Sequence, residues 1–205
     1  MLFGFFALIA LGNAEQKVDV LLASESLCPD CIKVFKQQLS KVYKTDALKM
    51  MSLTLLPYGN AHQTFNGTHW VFSCQHGQRE CDVNMFEACA IYLTNNSIKD
   101  YFPLIECIES AKDPYASAEA CVAKTKFPVP LKRVSECVKG KEGNSLMHEI
   151  GLLTENLNPP HKYVPWFVIN GEHSDEIQEA CEKDLTKVLC QHYKGELPSS
   201  CKRKI

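Results

Sequence analysis

The chain has 205 residues, 45% of them hydrophobic, with 22 Lys+Arg against 24 Asp+Glu and a net charge of −2. This is enough apolar material for one large domain with its own core, and the charge balance excludes a dedicated binder of nucleic acid or anionic membrane. Eleven cysteines in this length mean scattered thiols and metal sites in a reducing compartment, or disulfides in an oxidising one.

The N-terminus favours the second case. Met1 to Leu11 carries no charged side chain and ends in Gly12-Asn13-Ala14. It reads as a signal peptide over residues 1–14, too short to span a bilayer, which needs about 20 residues. No later segment is apolar enough to span. The sequons Asn66-Gly67-Thr68 and Asn95-Asn96-Ser97 make Asn66 and Asn95 expected glycosylation sites on an exported chain. The basic end Lys202-Arg203-Lys204 reads as a solvated terminus.

Val18 to Ala23 is a short apolar run and a predicted buried strand. A polar turn, Ser24-Glu25-Ser26-Leu27, follows. Ile32, Phe35, Leu39 and Val42 recur at helical spacing, which predicts a helix over 29–44 with Pro29 in its first turn. Met50 to Leu56 reads as a second strand, stopped by Pro57-Tyr58-Gly59. Strand–helix–strand calls for a parallel pair with a right-handed crossover. Residues 60–72 read as loop. From Cys74 to Gly140 the pattern is helical, in short pieces cut by prolines, and holds six cysteines. A helix over 144–156 follows, then a strand at 164–169 entered through Pro165. Asn170-Gly171 signals a hairpin into a further short strand. Ser174 caps a last helix over 175–192. The whole order predicts an α/β thioredoxin-like fold, a single domain over 15–205 with a cysteine-rich helical insertion at about 60–140.

Cys28-Pro29-Asp30-Cys31 falls at the first strand–helix junction. Unpaired N–H groups and the dipole at a helix N-terminus favour a thiolate, which is the nucleophile in disulfide exchange. Cys31, one turn on, is close enough to attack a mixed disulfide formed on Cys28. Cys28 is therefore the expected nucleophile and Cys31 the resolving thiol, while an ionised Asp30 works against the thiolate. The dipole alone leaves on the order of 1% thiolate at pH 5. Half of a zinc site, or two separate structural disulfides, are the competing readings of the pair. Pro165, opening a late strand in this arrangement, is expected to be cis and to face the two cysteines, so that the backbone before it can pair with an extended substrate.

Residues 74–89 read Cys-Gln-His-Gly-Gln-Arg-Glu-Cys-Asp-Val-Asn-Met-Phe-Glu-Ala-Cys. Cys74, Gln75, His76, Gly77, Glu80, Cys81, Asn84 and Cys89 match in full the signature C-Q-H-G-x-x-E-C-x-x-N-x-x-x-x-C. On this segment, with Cys28-Pro-Asp-Cys31, Pro57-Tyr58-Gly59-Asn60-Ala61 and Val164-Pro165-Trp166, the chain resembles the gamma-interferon-inducible lysosomal thiol reductase family over roughly residues 18–190. The resemblance implies a thioredoxin-like fold with a helical insert, delivery to endosomes and lysosomes, and reduction of protein disulfides at acidic pH. It also implies that the redox pair is Cys28 and Cys31, and not the signature cysteines. Those are read as disulfide anchors of the insert, with Gly77 in a tight turn and Asn84 in a local hydrogen bond. His76 is read as a satisfied structural histidine, with a pH-responsive role near the redox pair as the alternative.

Nine cysteines remain beside the redox pair, enough for four structural disulfides and one odd thiol. Cys201 is the candidate for the odd one and for a disulfide-linked homodimer. No nucleotide- or flavin-binding motif is present, so no cofactor is expected, and the export signal argues against a metal at the Cys-Gln-His-Cys cluster. External small thiols or a partner protein would supply electrons, and the partners are disulfide-containing protein substrates. A secretory-pathway oxidase or isomerase shares the same site chemistry. A non-enzymatic, disulfide-stapled binding module built on residues 74–140 is the remaining alternative, but it leaves the strand-borne Cys-x-x-Cys without a purpose.

Overall fold

The computed structural model describes residues 16–202. The expected leader with its cut after Ala14, and Arg203-Lys204 of the basic tail, lie outside them. Among the described residues no helix is long and apolar enough to cross a membrane.

Strand β1 (Val18–Ser24) is the centre of a three-stranded sheet, parallel to β2 (Met51–Pro57) on one side and antiparallel to β5 (Trp166–Ile169) on the other. Its alternation divides the core. Val18, Val20 and Leu22 face one layer, where Phe167 and Ile169 of β5 join them against α1 (Pro29–Val34), α2 (Ser40–Tyr43) and α8 (Asp175–His192). Leu21 and Ala23 face the other, with Trp166 and Val168 against Ile150 of α7 (Lys141–Glu155). Period-two alternation with both faces buried is what a sheet covered on each side by helices requires.

The helix expected over 29–44 is continuous but not uniform, because Phe35–Leu39 between α1 and α2 are π-helical. Gln38 lies in this stretch and repairs a break elsewhere. Its amide donates to the carbonyls of Glu182 (2.8 Å) and Lys183 (3.3 Å) and accepts from Leu185 N–H (3.1 Å). Those residues flank Asp184, whose φ of −158° interrupts α8. The side-chain amide stands in for backbone bonds the kink removes.

Residues 60–72 are not loop. His62–Phe65 (β3) and Trp70–Ser73 (β4) form an antiparallel hairpin. Its pattern is short and largely exposed, and its register is pinned from outside: Asn144 of α7 accepts from Trp70 N–H and donates to its carbonyl, while Trp70 stacks on His148 at 3.8 Å. The strand expected after Asn170-Gly171 is reduced to one bridge, Ile169 to Glu172.

The insert then runs through α3 (Gln78–Leu93), α4 (Ile98–Glu109), α5 (Pro114–Lys124) and α6 (Leu131–Lys139). These helices share a second core of Val83, Phe86, Leu104, Ile108, Val122 and Val134. Disulfides staple it: Cys89–Cys137 joins α3 to α6, Cys107–Cys121 joins α4 to α5, and Cys74–Cys81 ties the segment before α3 to its first turns. The fourth, Cys190–Cys201, fastens α9 (Ser199–Lys202) to the end of α8. Cys201 is thus paired, and the expectation that it is the odd thiol is corrected. Beside Cys28 and Cys31 the free cysteine is Cys181, 0% exposed in the main core, its thiol pushed up to about 12 by burial. The sequence misleads here because nearness to a terminus suggests exposure, whereas Asp46 accepts bonds from Ser199 and Ser200 and folds the tail back onto the domain.

Candidate active site

Strand direction brings three segments to one end of the sheet. β1 and β2 run parallel, with Ser24 opposite Pro57, so their C-terminal ends finish side by side. β5 runs antiparallel, with Trp166 opposite Ala23, which carries its N-terminal end to the same edge. The segment after β1 bears Cys28 and Cys31, the turn after β2 bears Gly59 and Asn60, and the entry to β5 bears Pro165.

Cys28 is the N-cap of α1, and Ile32 N–H closes the first turn on its carbonyl at 3.0 Å. It is 8% exposed and Cys31 is 0% exposed. The Cys28 thiol is lowered to about 6, chiefly because the Cys31 thiol donates to it and then because the N–H groups of Cys31 and Asp30 point at it; burial and the Asp30 carboxylate oppose. Cys31 is driven far upward by that same hydrogen bond and by burial. The two thiols of the pair are thus shifted in opposite directions by one shared hydrogen bond. The Val164–Pro165 bond is cis, and the Val164 carbonyl oxygen lies 4.0 Å from Cys28 Sγ. Gln178 of α8 holds the segment after it, donating to Pro165 O at 2.9 Å and accepting from Phe167 N–H at 2.9 Å.

The signature segment packs against the floor of this site. Cys74 and Cys81 close a loop in which Gly77, at φ +85°, turns the chain into α3. The bond of Asn84 is not local. Its Oδ1 accepts from Ser26 N–H at 2.8 Å, 58 residues away, and fixes the turn that leads into Cys28. His76 Nδ1 lies 2.7 Å from Glu80 Oε2 and 3.6 Å from Glu25 Oε1. Gln75 accepts from Asn60 Nδ2 at 2.7 Å. Glu25, inside the turn read as merely polar, is 2% exposed; burial pushes its carboxyl up to about 7, with the charges of Glu80 and Cys28 in the same direction and Asn60 N–H and His76 against. Glu87 of α3 and Glu109 of α4 form a second buried pair beneath Ser26. Burial raises both, Glu109 to about 7. Sequence reasoning missed Glu25, Glu87 and Glu109. The one local signal is that Glu80 and Glu87 lie seven residues apart, two turns along one face of a helix.

Asn66 and Asn95 are both exposed, the first in the β3–β4 turn and the second after α3.

Gly59 sets how closely the β2 turn approaches Glu25. It sits at φ +61°, and a Cβ there would fall 2.5 Å from Glu25 Cβ and closer still to Oε2. Gly59→Ala is expected to cost at least about 2 kcal/mol, from the left-handed backbone and the overlap together, and to displace the Glu25 carboxyl. A denaturant midpoint equal to that of wild type would show that the turn can move aside.

The family model described as gamma interferon inducible lysosomal thiol reductase matches residues 19–125. A gamma-interferon-inducible lysosomal thiol reductase of Carassius auratus is 39% identical over 184 residues, 90% of this chain and 72% of the relative. The Mus musculus protein of that name is 36% identical over 185 residues, 90% and 71%. A gamma-interferon-responsive lysosomal thiol protein of Arabidopsis thaliana is 35% identical over 193 residues, 93% and 78%. Among solved structures, Chlamydia trachomatis DsbA aligns with a TM-score of 0.56 at 13% identity, covering 84% of this chain and 88% of that one. A thioredoxin-like oxidoreductase of Silicibacter pomeroyi aligns at 0.51 and 14%, covering 84% and 89%. The structural likenesses carry the thioredoxin-like fold, and the sequence matches carry the chemistry: the chain belongs to the gamma interferon inducible lysosomal thiol reductase family and is a thiol–disulfide oxidoreductase.

Proposed function

We propose that this protein reduces protein disulfides in acidic endosomal and lysosomal compartments, with Cys28 as nucleophile and Cys31 as resolving thiol. The observation that carries the reading is the Cys28–Cys31 pair itself, a lowered thiol at a helix N-terminus with a raised one behind it. With Cys28 at about 6, about one-tenth of it is thiolate at pH 5. That is tenfold more than the helix dipole alone supplies, and the excess comes from the Cys31 hydrogen bond.

Cys28 thiolate attacks one sulfur of the substrate disulfide. A Cys28–substrate disulfide forms and the other substrate sulfur leaves as thiolate. Cys31 then attacks Cys28 and releases the second substrate thiol. The enzyme ends as the Cys28–Cys31 disulfide, two electrons poorer, and the substrate two electrons richer. The cis peptide at Pro165 presents the Val164 carbonyl beside Cys28, where an extended substrate backbone can pair with it. External small thiols or a partner protein return the enzyme to the dithiol. The names of the relatives support the lysosomal setting, and the two exposed sequons suit a glycosylated chain of the secretory pathway.

Reduction of a denatured disulfide protein at pH 5 tests the reading. Wild type should be active, Cys28→Ser should lose at least about a thousandfold in rate, and Cys31→Ser should accumulate a mixed disulfide visible on non-reducing gels. Full activity of Cys28→Ser would move the chemistry to other cysteines.

A further inference from the structure

Three side chains from separate segments converge beside the turn that leads into Cys28: Glu25 after β1, His76 in the loop before α3, and Glu80 in the first turn of α3. One nitrogen and two carboxylate oxygens there all lie within 4.8 Å of one another, and among the described residues no other three such side chains come together in this way. His76 Nδ1 is 2.7 Å from Glu80 Oε2 and 3.6 Å from Glu25 Oε1. Each group is held by its neighbours. Asn60 N–H donates to Glu25 Oε2 at 2.8 Å, which leaves Oε1 as the atom nearer His76. The Cys74–Cys81 disulfide closes the loop that carries His76 onto the turn that carries Glu80, and His76 N–H donates to Glu80 Oε2 at 2.6 Å.

The cluster is short of positive charge. Glu25 is 2% and Glu80 0% exposed, and burying carboxylates without a counter-charge is costly. Among the described residues neither pairs with a lysine or arginine, and His76 is their shared partner. Glu80 Oε1 is buried and meets no hydrogen-bond donor among the described residues. We propose that Glu25 Oε1, His76 Nδ1 and the Glu80 carboxylate form a binding site for a divalent first-row transition ion, represented by Zn2+. Two carboxylates and a neutral imidazole balance its two charges, and Glu80 Oε1 gains the partner it lacks. A mixed nitrogen and oxygen set suits Zn2+ better than Mg2+ or Ca2+, which favour oxygen alone. Cys74 and Cys81 take no part, because their sulfurs are bonded to each other.

Small movements admit the ion. Zinc bonds of about 2.0–2.2 Å in a tetrahedron set ligand atoms about 3.3–3.5 Å apart. Nδ1 and Glu25 Oε1 already stand at 3.6 Å. Nδ1 and Glu80 Oε2, at 2.7 Å, part by about 0.7 Å to reach the tetrahedral spacing. The His76 side chain is 32% exposed, so an ion enters from solvent along it and water fills the fourth position. The proton on Nδ1 leaves to water as the ion binds. Asn60 N–H behind Glu25 and His76 N–H behind Glu80 hold the carboxylates in place, as outer partners of metal ligands do. The bound ion ties the turn that leads into Cys28 to α3, two segments that the Asn84–Ser26 bond also joins.

The test titrates Zn2+ into the untagged full chain in a calorimeter at about pH 7.5, where metal ligands bind without strong competition from protons. Cys28 and Cys31 are first oxidised to their disulfide, so that neither thiol can take the ion. One equivalent is expected to bind and to raise the melting temperature. His76→Ala and Glu80→Gln should each weaken binding at least about a hundredfold, since even a partner behind a ligand is worth about ten- to a hundredfold. His69→Ala, in the exposed β3–β4 turn, should leave it unchanged. Co2+ in place of Zn2+ should bind without thiolate-to-metal charge-transfer absorption. Crystals of wild type grown with Zn2+ need no variant to fold, and their anomalous peak is expected between Glu25, His76 and Glu80. No binding, binding that survives His76→Ala or Glu80→Gln, equal weakening in His69→Ala, a sulfur charge-transfer band, or a peak at another residue overturns the site. None of these measurements reads activity, so the site stands or falls apart from the reductase reading.

Discussion

Thermal unfolding of the reduced protein is expected to occur about 6–10 °C higher at pH 5 than at pH 7.5. The cause is three buried carboxyls. Glu25 and Glu109 are raised from 4.5 to about 7, and Glu87 is raised as well, in each case chiefly by burial. Between 4.5 and 7 the folded chain therefore binds more protons than the unfolded one, and stability falls as pH rises. Their contribution is complete below about pH 4.5 and is lost as pH climbs through 7. Its size, on the order of a few kcal/mol, gives the stated shift at two to four degrees per kcal/mol. The opposite limb belongs to surface carboxylates held low by hydrogen bonds, Asp46 by Ser199 and Ser200, Asp113 and Glu142 by their arginines. Their stabilisation is lost only as pH falls below about 4. Scanning calorimetry at the two pH values checks this. Glu109→Gln should flatten the dependence, because the amide removes one carboxyl and the like charge that raises the other. A melting temperature lower at pH 5 would mean that these groups are ionised in the fold. A fold that gains stability on acidification suits the compartment proposed for its activity.

Removing the Cys89–Cys137 disulfide with Ala at both positions should lower unfolding free energy by about 4 kcal/mol, by loop-closure entropy for a separation of 48. The same change at Cys74–Cys81, separation 7, should cost about 2–3 kcal/mol. The longer crosslink matters to the site as well as to the fold. It anchors α3, and α3 supplies Glu80, Asn84 and Glu87 to the floor beneath the turn that leads into Cys28. Urea unfolding curves of the oxidised double variants, with m fitted for each because the lost crosslink loosens the unfolded chain, measure both values. If the Cys89/Cys137 variant unfolds at the wild-type urea concentration, the core of Phe86, Leu104 and Val134 holds the insert without it.

The sequence by itself determined the parts of this protein that depend on near neighbours. A short apolar run identified β1, helical spacing identified the segment after Cys28, and Ser174 marked the start of α8, where its side chain accepts from Ile177 N–H. Cys28 and Cys31 are one turn apart in any helix, so their pairing was legible before any fold was known. Sequence likeness named the family for the same reason, since its signature is a fixed local spacing from Cys74 to Cys89. The β3–β4 hairpin was not legible, because its pattern is mostly exposed and its register comes from Asn144 and His148, far along the chain. Cys201 was misread because a terminus looks free until Asp46 is seen to hold it. Only the tertiary structure could decide that Glu25 is buried, that Asn84 reaches Ser26 across 58 residues, and that the Val164 carbonyl meets Cys28 across 136. Those contacts arise from strand order and from α3 packing under the sheet edge. No local preference encodes them, because the burial of a side chain is a property of everything around it.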